Sequence, residues 1–297
     1  MRGLAAAAAA VALFGCQPRS DVQSKPDPHF VLGPAWRVGP IWHYPRESYD
    51  LNETGLAETM PARHPPLTSN GEVFDQTALA VAHPTLQLPA IARITNLDNG
   101  RSVMVRINDR GSGNPHRLVE VTRRTATLLG ISGVARVRLQ VLANESHAVA
   151  DTLPGAPHLA VAAVPRAVVE VAELPPPPGA LQRSGATITR GMGGPGVGTG
   201  AGDIVQPPPP RLPEIISQGT PSGGRLLVRL DTFQEYQYAA VQRARMIAFH
   251  PVIVSLIENR THFFRVEIGP LPDVRQAENA LDQAFAAGIP DARIVVD

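Results

Sequence analysis

The chain has 297 residues, enough for two ordinary domains, and 43% of them are hydrophobic, so a core can form. A formal charge of +1 leaves no basic footprint for nucleic acid, and 5% aromatics are too few for a base-stacking platform. The 30 prolines and 26 glycines cluster, which points to a linker between folded parts.

The first element is a targeting segment. Arg2 precedes "GLAAAAAAVALFGC". This apolar run is about half of the ~20 residues that span a bilayer, so it reads as a signal-peptide core, residues 1–15. "LFGC" resembles a bacterial lipobox, which implies lipidation of Cys16. Cys16 is the only cysteine, and lipidation would remove an unpaired thiol from an oxidising compartment. Gln17 follows it where an Asp would imply inner-membrane retention, so the expected address is the outer membrane.

Residues 16–50 are polar and proline-rich with scattered aromatics, an extended arm lying on a domain. Residues 51–145 carry alternating strands. Residues 146–222 contain "LPPPPGA", "GMGGPGVGTGAGD" and "QPPPPRLP", a composition that buries too little apolar surface to order itself, hence a disordered linker. Residues 223–297 return to globular patterning.

In the central part "IARITN" and "SVMVRIND" alternate, with "LDNG" as the hairpin turn between them. Val103, Val105 and Ile107 share one face of the second strand, and Met104, Arg106 and Asn108 the other. "TRRTATLLG" predicts a short helix capped by Thr122 and stopped by Gly130. "ARVRLQVL" predicts a strand with Val137, Leu139 and Val141 inward. Many short strands with one helix point to a small barrel.

"GLA", "TSNGEVFD", "VAHPTLQLP", "RITNLDNGRSVMVRINDRG" and "RRTATLLG" follow one another in the order and spacing of the rare lipoprotein A (RlpA) family. The resemblance covers residues 28–142. It implies a double-psi β-barrel and a septal-ring lytic transglycosylase of peptidoglycan. The family's catalytic carboxylates fall on Glu72 and Asp109, its supporting histidine on His83, and a nearby acid on Asp75. That chemistry needs an acid to protonate the glycosidic oxygen while the sugar becomes cation-like. The muramic acid 6-hydroxyl then attacks in place of water and leaves a 1,6-anhydro end. Arg106 and Arg110 flank Asp109 in sequence, and either would favour its ionised form if close, so acid and base remain unassigned between Glu72 and Asp109.

The chain also departs from the family pattern. "AETMPAR", Ala57–Arg63, stands where the family has "ASWYG", and "HPPLTSNGE" where it has "HGRKTANGE", sharing His64. Ser112-Gly113 replaces "PF", and Val119–Thr122 replaces "IDLS". Sugar rings stack on aromatic faces, so these losses imply a reshaped groove. Taken singly, "NDRG" and "NGE" also read as turns, and His83 as a hydrogen-bonded structural histidine.

In the C-terminal part "RLLVRLDTF" predicts a strand with Leu226, Val228 and Leu230 on one face. Gln237, Ala240, Val241, Ala244, Ile247 and Ala248 fall at helical spacing. "PVIVSLI" and "HFFRVEIGP" predict two strands. "PDVRQAENALDQAFAAG" predicts a helix with Asp273 as cap and Gly288 as stop, and "ARIVVD" a last strand. The order is βαββαβ. "FFRVEIGPL" and "AAGIPDARIVV" resemble a SPOR domain, which implies binding to peptidoglycan strands stripped of stem peptides. Alternation places Arg229, Asp231, Phe263, Arg265 and Glu267 on the sheet face away from the helices. Arg229, Phe263, Arg265 and Glu267 are the candidate glycan contacts, and a solvated sheet face is the plainer reading.

The expected protein is mainly β plus α+β: a double-psi barrel, a disordered linker and a βαββαβ SPOR domain. Its expected place is the outer membrane facing the periplasm at the division septum, lipid-anchored through Cys16. The expected partners are glycan strands and division-site proteins, with no cofactor, no metal and no nucleic acid. A catalytically degenerate glycan-binding or division-scaffold lipoprotein is the alternative, favoured by "AETMPAR".

Overall fold

The computed structural model describes residues 25–62, 65–157 and 210–297. The signal segment, Cys16, His64 and residues 158–209 lie outside the described residues.

The arm runs along the barrel, bridging it at Val31 and Leu88, and forms a small hairpin of β1 (Trp36–Val38) and β2 (Ile41–His43). The barrel strands are β3 (Asn52–Thr59), β4 (Ala80–Ala82), β5 (Ala90–Asn96), β6 (Arg101–Asp109), β7 (Val119–Val121) and, after helix α1 (Arg123–Leu129), β8 (Ala135–Val141). Neighbours run β4-β7-β3-β8-β5-β6, and β4 pairs again with β6, so the sheet closes on itself. Two pairings are parallel, β3 with β7 and β4 with β6. Closure removes the sheet edges and turns one face of every strand inward. Val103, Val105, Ile107, Val137 and Leu139 are buried there, as their alternation requires.

The local signals behave as chemistry dictates. Thr122 accepts from the Thr125 amide at the start of α1, and Gly130 ends it at φ 68°, in the left-handed region open to glycine. Asp273 caps α4 in the same way, accepting from the Gln276 amide. The "LDNG" turn returns β5 into β6 with Thr95 opposite Ser102.

Composition places the linker at 146–222, but both ends of that span are seated on the barrel. Helix α2 (Ala143–Ala150) anchors through Ser146, whose hydroxyl donates to Ile91 O and accepts from Ile91 N. Leu153 and Ala156 are buried beyond it. At the other end β9 (Ser217–Gln218) adds to β6, with Ser217 opposite Ser102.

The C-terminal unit is β10 (Leu226–Phe233), α3 (Tyr236–Arg245), β11 (Val252–Glu258), β12 (Thr261–Leu271), α4 (Val274–Ala286) and β13 (Arg293–Val296). Its antiparallel sheet is ordered β11-β12-β10-β13. Leu226, Val228, Leu230, Val266 and Ile268 pack against Ala277, Ala280, Leu281 and Ala284 of α4. The edge strand β13 is covered by the barrel. Thr54 Oγ1 donates to Val296 O at 2.6 Å and accepts from Val296 N, Arg293 pairs with Glu53, and Arg117 pairs with Glu278. Leu56, a barrel residue, is fully buried in the C-terminal core, a burial that contributes roughly 1.5–3 kcal/mol.

Two expectations are corrected here. The helical stripe through Gln237, Val241, Ala244 and Ala248 is exposed, and the buried side of this element is Ala239, Gln242 and Met246. Gln237, Val241 and Ala244 lie within the α-helix but on its solvent side, and the side that meets the sheet carries Ala239 and Gln242, followed by Met246 past the helix end at Arg245. In β10 a register shift follows Arg229, which pairs with Glu267, whereas Asp231 pairs with Val266 and Thr232 with Arg265. The bulge moves Asp231 out of the outward row and puts Thr232 in its place.

Candidate active site

The turn Thr68–Glu72 carries the first carboxylate. Thr68 N donates to Glu72 O at 2.8 Å, and Gly71 N to Thr68 O at 2.9 Å. The arm fixes this turn from outside: Asp27 N donates to Gly71 O and His29 N to Asn70 O, both at 3.0 Å. Gly71 sits at φ +81°, and a Cβ there would lie 2.1 Å from Asp27 O. Only glycine permits both the left-handed backbone and the contact.

Glu72 is therefore held inward, 2% exposed. Arg106 of β6 donates to it from Nε at 2.8 Å and from Nη2 at 2.5 Å. Asn108, two residues along the same strand face, donates from Nδ2 to the other oxygen at 2.8 Å, and Asn70 Nδ2 donates to Oε1 at 2.8 Å. Every one of these bonds is one that a carboxylate accepts.

Asp109 ends β6 and is 5% exposed. Its Oδ1 accepts from Ser69 Oγ at 2.5 Å, Ser69 N at 3.0 Å and Arg110 N at 2.8 Å. Glu72 and Asp109 are thus tied to one turn, Asp109 through Ser69 and Glu72 through Asn70. The guanidiniums on either side of Asp109 in sequence turn elsewhere. Arg106 pairs with Glu72, and Arg110 donates to the carbonyls of Leu32 and Leu86. Burial brings the Arg110 guanidinium down to about 10, with Asp109 acting in the opposite direction.

His83 is buried behind this strand end, its amide donating to Asp109 O at 2.9 Å. Its Nδ1 accepts from the amides of Thr85 and Leu86, each at 3.2 Å, which places the proton on Nε2. Burial, then the charges of Arg110, His43 and Arg46, push its pKa down to about 3. Asp75 is more open. The Thr77 hydroxyl foremost, with the Thr77 amide and Arg211, holds its carboxyl below the usual range despite burial. Arg211 Nη2 lies 2.8 Å from Asp75 Oδ2.

A cavity of about 650 Å³ opens over this floor. Glu72, Arg106, Asn108 and Asp75 line it, with Met60, Val73 and Phe74 as apolar walls. Asp109 and His83 are not among its lining residues; Asp109 follows Asn108 on the strand and points the other way. The site thus brings Glu72 and Asp75 into one cavity and joins Asp109 to them through the turn. Asn108, Asn70 and Ser69 belong to it without having been singled out in the sequence as site residues, and Arg106, considered there beside Asp109, serves Glu72 instead. Their signal was present: Asn70 and Ser69 sit inside "TSNGE", and Arg106 and Asn108 share the outward face of "SVMVRIND".

A family model described as lytic transglycolase matches residues 52–140. The endolytic peptidoglycan transglycosylase RlpA of Pseudomonas aeruginosa is 26% identical over 295 residues, covering 91% of this chain and 77% of its own length. The chain is thus similar to an RlpA protein over most of its length. The RlpA protein of Yersinia pestis is 44% identical over 75 residues, covering 25% of this chain and 21% of its own. That of Rickettsia felis is 31% identical over 136 residues, covering 41% of this chain and 60% of its own. The chain therefore matches between about a fifth and three fifths of the length of these last two RlpA relatives. A crystal structure of the RlpA SPOR domain from Pseudomonas aeruginosa covers 24% of this chain and 99% of that chain, at 19% identity and a TM-score of 0.23. Two residues of the departing segment "AETMPAR" also find a place: Ala57 is core, and Met60 lines the cavity.

Among the candidate glycan contacts of the C-terminal sheet, Arg229 Nε lies 3.3 Å from Glu267 Oε1, and Arg265 lies between Glu258 and Glu267 at 3.4 and 3.9 Å. Phe263 is opposite Leu256 on β11, half-buried beside this charged row. Burial foremost, then Arg229, lowers the Arg265 guanidinium from its usual range.

Proposed function

We propose that the chain is an endolytic peptidoglycan lytic transglycosylase acting between N-acetylmuramic acid and N-acetylglucosamine. Its preferred substrate is glycan free of stem peptides, and its product carries a 1,6-anhydro-muramic end. The observation that carries this reading is Glu72, a buried carboxylate on the floor of a sugar-sized cavity, held by Arg106 and Asn108. The matching family model and the names of the relatives support it.

In this reading the glycosidic oxygen takes a proton as its bond to C1 breaks, and positive charge grows on the sugar. The 6-hydroxyl of the same residue then forms the new bond to C1 and gives its proton to a carboxylate, so no water is consumed. Glu72 is paired with a guanidinium and Asp75 is held below its usual range, so both suit the charge-stabilising role. Asp109 lies outside the cavity lining and is held to the same turn by Ser69 and the Arg110 amide, so acid and base stay unassigned between it and Glu72. Met60, Val73 and Phe74 give the cavity apolar walls on which the C–H face of a sugar can pack.

The C-terminal sheet is read as the glycan-holding module, with Arg229, Phe263, Arg265 and Glu267 as contacts. Tethering it to the barrel raises the local substrate concentration. The lipobox supports an outer-membrane anchor at Cys16, and the resemblance to septal-ring transglycosylases supports a place at the division septum; Cys16→Ser should abolish membrane partitioning.

One observation favours the second reading, a glycan-binding scaffold without activity: both Glu72 oxygens are already occupied by protein donors. Digestion of purified denuded glycan, with mass spectrometry of the ends, separates the two. Anhydro-muramyl ends support the enzyme, and their absence supports the scaffold.

A further inference from the structure

The cavity over Glu72 is not closed by the barrel alone. One wall is chain returning from the proline-rich region, where Pro210, Arg211, Leu212 and Glu214 line it. The matched family segment ends at residue 140, so this wall lies outside it.

The seat of this return is built, side chain by side chain. Arg211 pairs with Asp75 at 2.8 Å. Leu212 packs against the barrel core. Glu214 receives the Arg124 guanidinium, with Nε 2.9 Å from Oε1. Behind them β9 extends the sheet at β6, and Gly219 N donates to Gly100 O at 2.8 Å. Gly100 has φ +77°, and a Cβ there would come 2.2 Å from Gly219 O, so the turn admits this close approach only as glycine.

A segment seated over a site is either a plug or a wall, and volume distinguishes them. A plug fills the space it covers. Here about 650 Å³ remains with the segment in place, within the roughly 300–1,000 Å³ range of small-molecule sites. The lining also suits a sugar. A pyranose ring offers an apolar C–H face and a polar rim, and the cavity offers Leu212, Met60 and Phe74 as walls over a floor of Glu72, Arg106 and Asn108.

We propose that residues 210–218 form a glycan-binding wall of the cleft, with Leu212 as an apolar platform and Arg211 as the positioning residue of Asp75. The proposal rests on the transglycosylase reading for its substrate, an N-acetylhexosamine glycan. It also gives the C-terminal module a structural route to the site, because the wall runs directly into β10.

The test uses the full chain and the double variant Arg211→Ala/Leu212→Ser, with Arg211→Lys as the conservative control. On denuded glycan the double variant should raise KM roughly tenfold and lower kcat less, with the barrel still folded at the assay temperature despite the lost Leu212 packing. Arg211→Lys should restore most of the lost kcat. Unchanged kinetics would overturn the wall, and faster cleavage would identify a plug instead. A wild-type chain that releases no anhydro ends would sink the transglycosylase reading alone; amide exchange then decides the wall. Added denuded glycan should protect Leu212–Gly219 together with Thr68–Phe74. Protection of Thr68–Phe74 only, or of neither segment, overturns the proposal.

Discussion

Arg106 and Glu72 form a buried ion pair across the cavity floor, with Nη2 2.5 Å from Oε1 and both side chains nearly excluded from solvent. Removing one partner strands the other's charge. Arg106→Met should therefore destabilise the barrel by about 3–5 kcal/mol, and Arg106→Met combined with Glu72→Gln by much less. Denaturant unfolding of the single and double variants measures the difference. Equal losses in both would mean that the pair is not coupled.

Activity separates Asp109 and Glu72 from their structural roles. Asp109→Asn should lower release of anhydro ends by about 10²–10⁴-fold, and Glu72→Gln by a similar factor. The double variant should be little worse than either, because residues acting as a unit are not additive. Melting curves run alongside guard against a turn aspartate that matters only for folding. Full activity in Asp109→Asn refutes its role in proton transfer.

His83 predicts an acid-sensitive fold. Its folded pKa of about 3 lies below the ordinary 6.5, so it is neutral in the native state. Below about pH 6.5 the unfolded chain takes a proton that the folded chain refuses. Stability is then lost as pH falls toward 3, by up to about 1.4 kcal/mol per pH unit from this group. His83→Asn keeps an acceptor for the Thr85 and Leu86 amides but does not titrate. Its stability should fall less steeply between pH 6.5 and 3, and identical slopes would assign the acid sensitivity to other groups.

Gly71 tests whether the arm positions Glu72. Gly71→Ala should cost roughly 1–3 kcal/mol and release the arm, because the new Cβ meets Asp27 O. Gly39→Ala is the control, since Gly39 has φ +56° with nothing near its missing Cβ. Proteolysis at residues 25–30 should rise in the first variant and not in the second. Equal proteolysis would detach the arm from the site's geometry.

The C-terminal face is tested in the full chain. Phe263→Ala with Arg265→Ala should weaken co-sedimentation with denuded sacculi several-fold while leaving the melting transition in place. Retained binding would return this row to a solvated sheet face.

Much of this protein is written in short-range pattern. The strand faces of 103–109 and 137–141, the caps Thr122, Gly130 and Asp273, and the βαββαβ order follow from periods of 2 and 3.6 residues and from terminal hydrogen bonds, all of which act over a few positions. The motif order around "TSNGEVFD" and "NDRG" likewise pointed to the carboxylates. The same locality explains the errors. Small and apolar residues lie on both sides of α3, so spacing alone does not decide which side meets the sheet, and Asp231 left its row at a bulge that alternation does not encode.

The partners were decided only by closure of the barrel. Glu72 and Arg106 are distant in sequence, and parallel pairing of β4 with β6 places the strand carrying Arg106 beside the chain that follows Glu72. Nothing local directs Arg106 to Glu72 and Arg110 to backbone carbonyls; the direction each side chain faces on the closed sheet does. Arg211 is the extreme case. It lies in a stretch whose composition reads as linker, and it reaches Asp75 only because β9 pairs with β6 and carries the preceding residues across the cavity. Composition governs whether a segment can fold alone, whereas its place against an existing sheet depends on edges and charges that only the folded barrel presents.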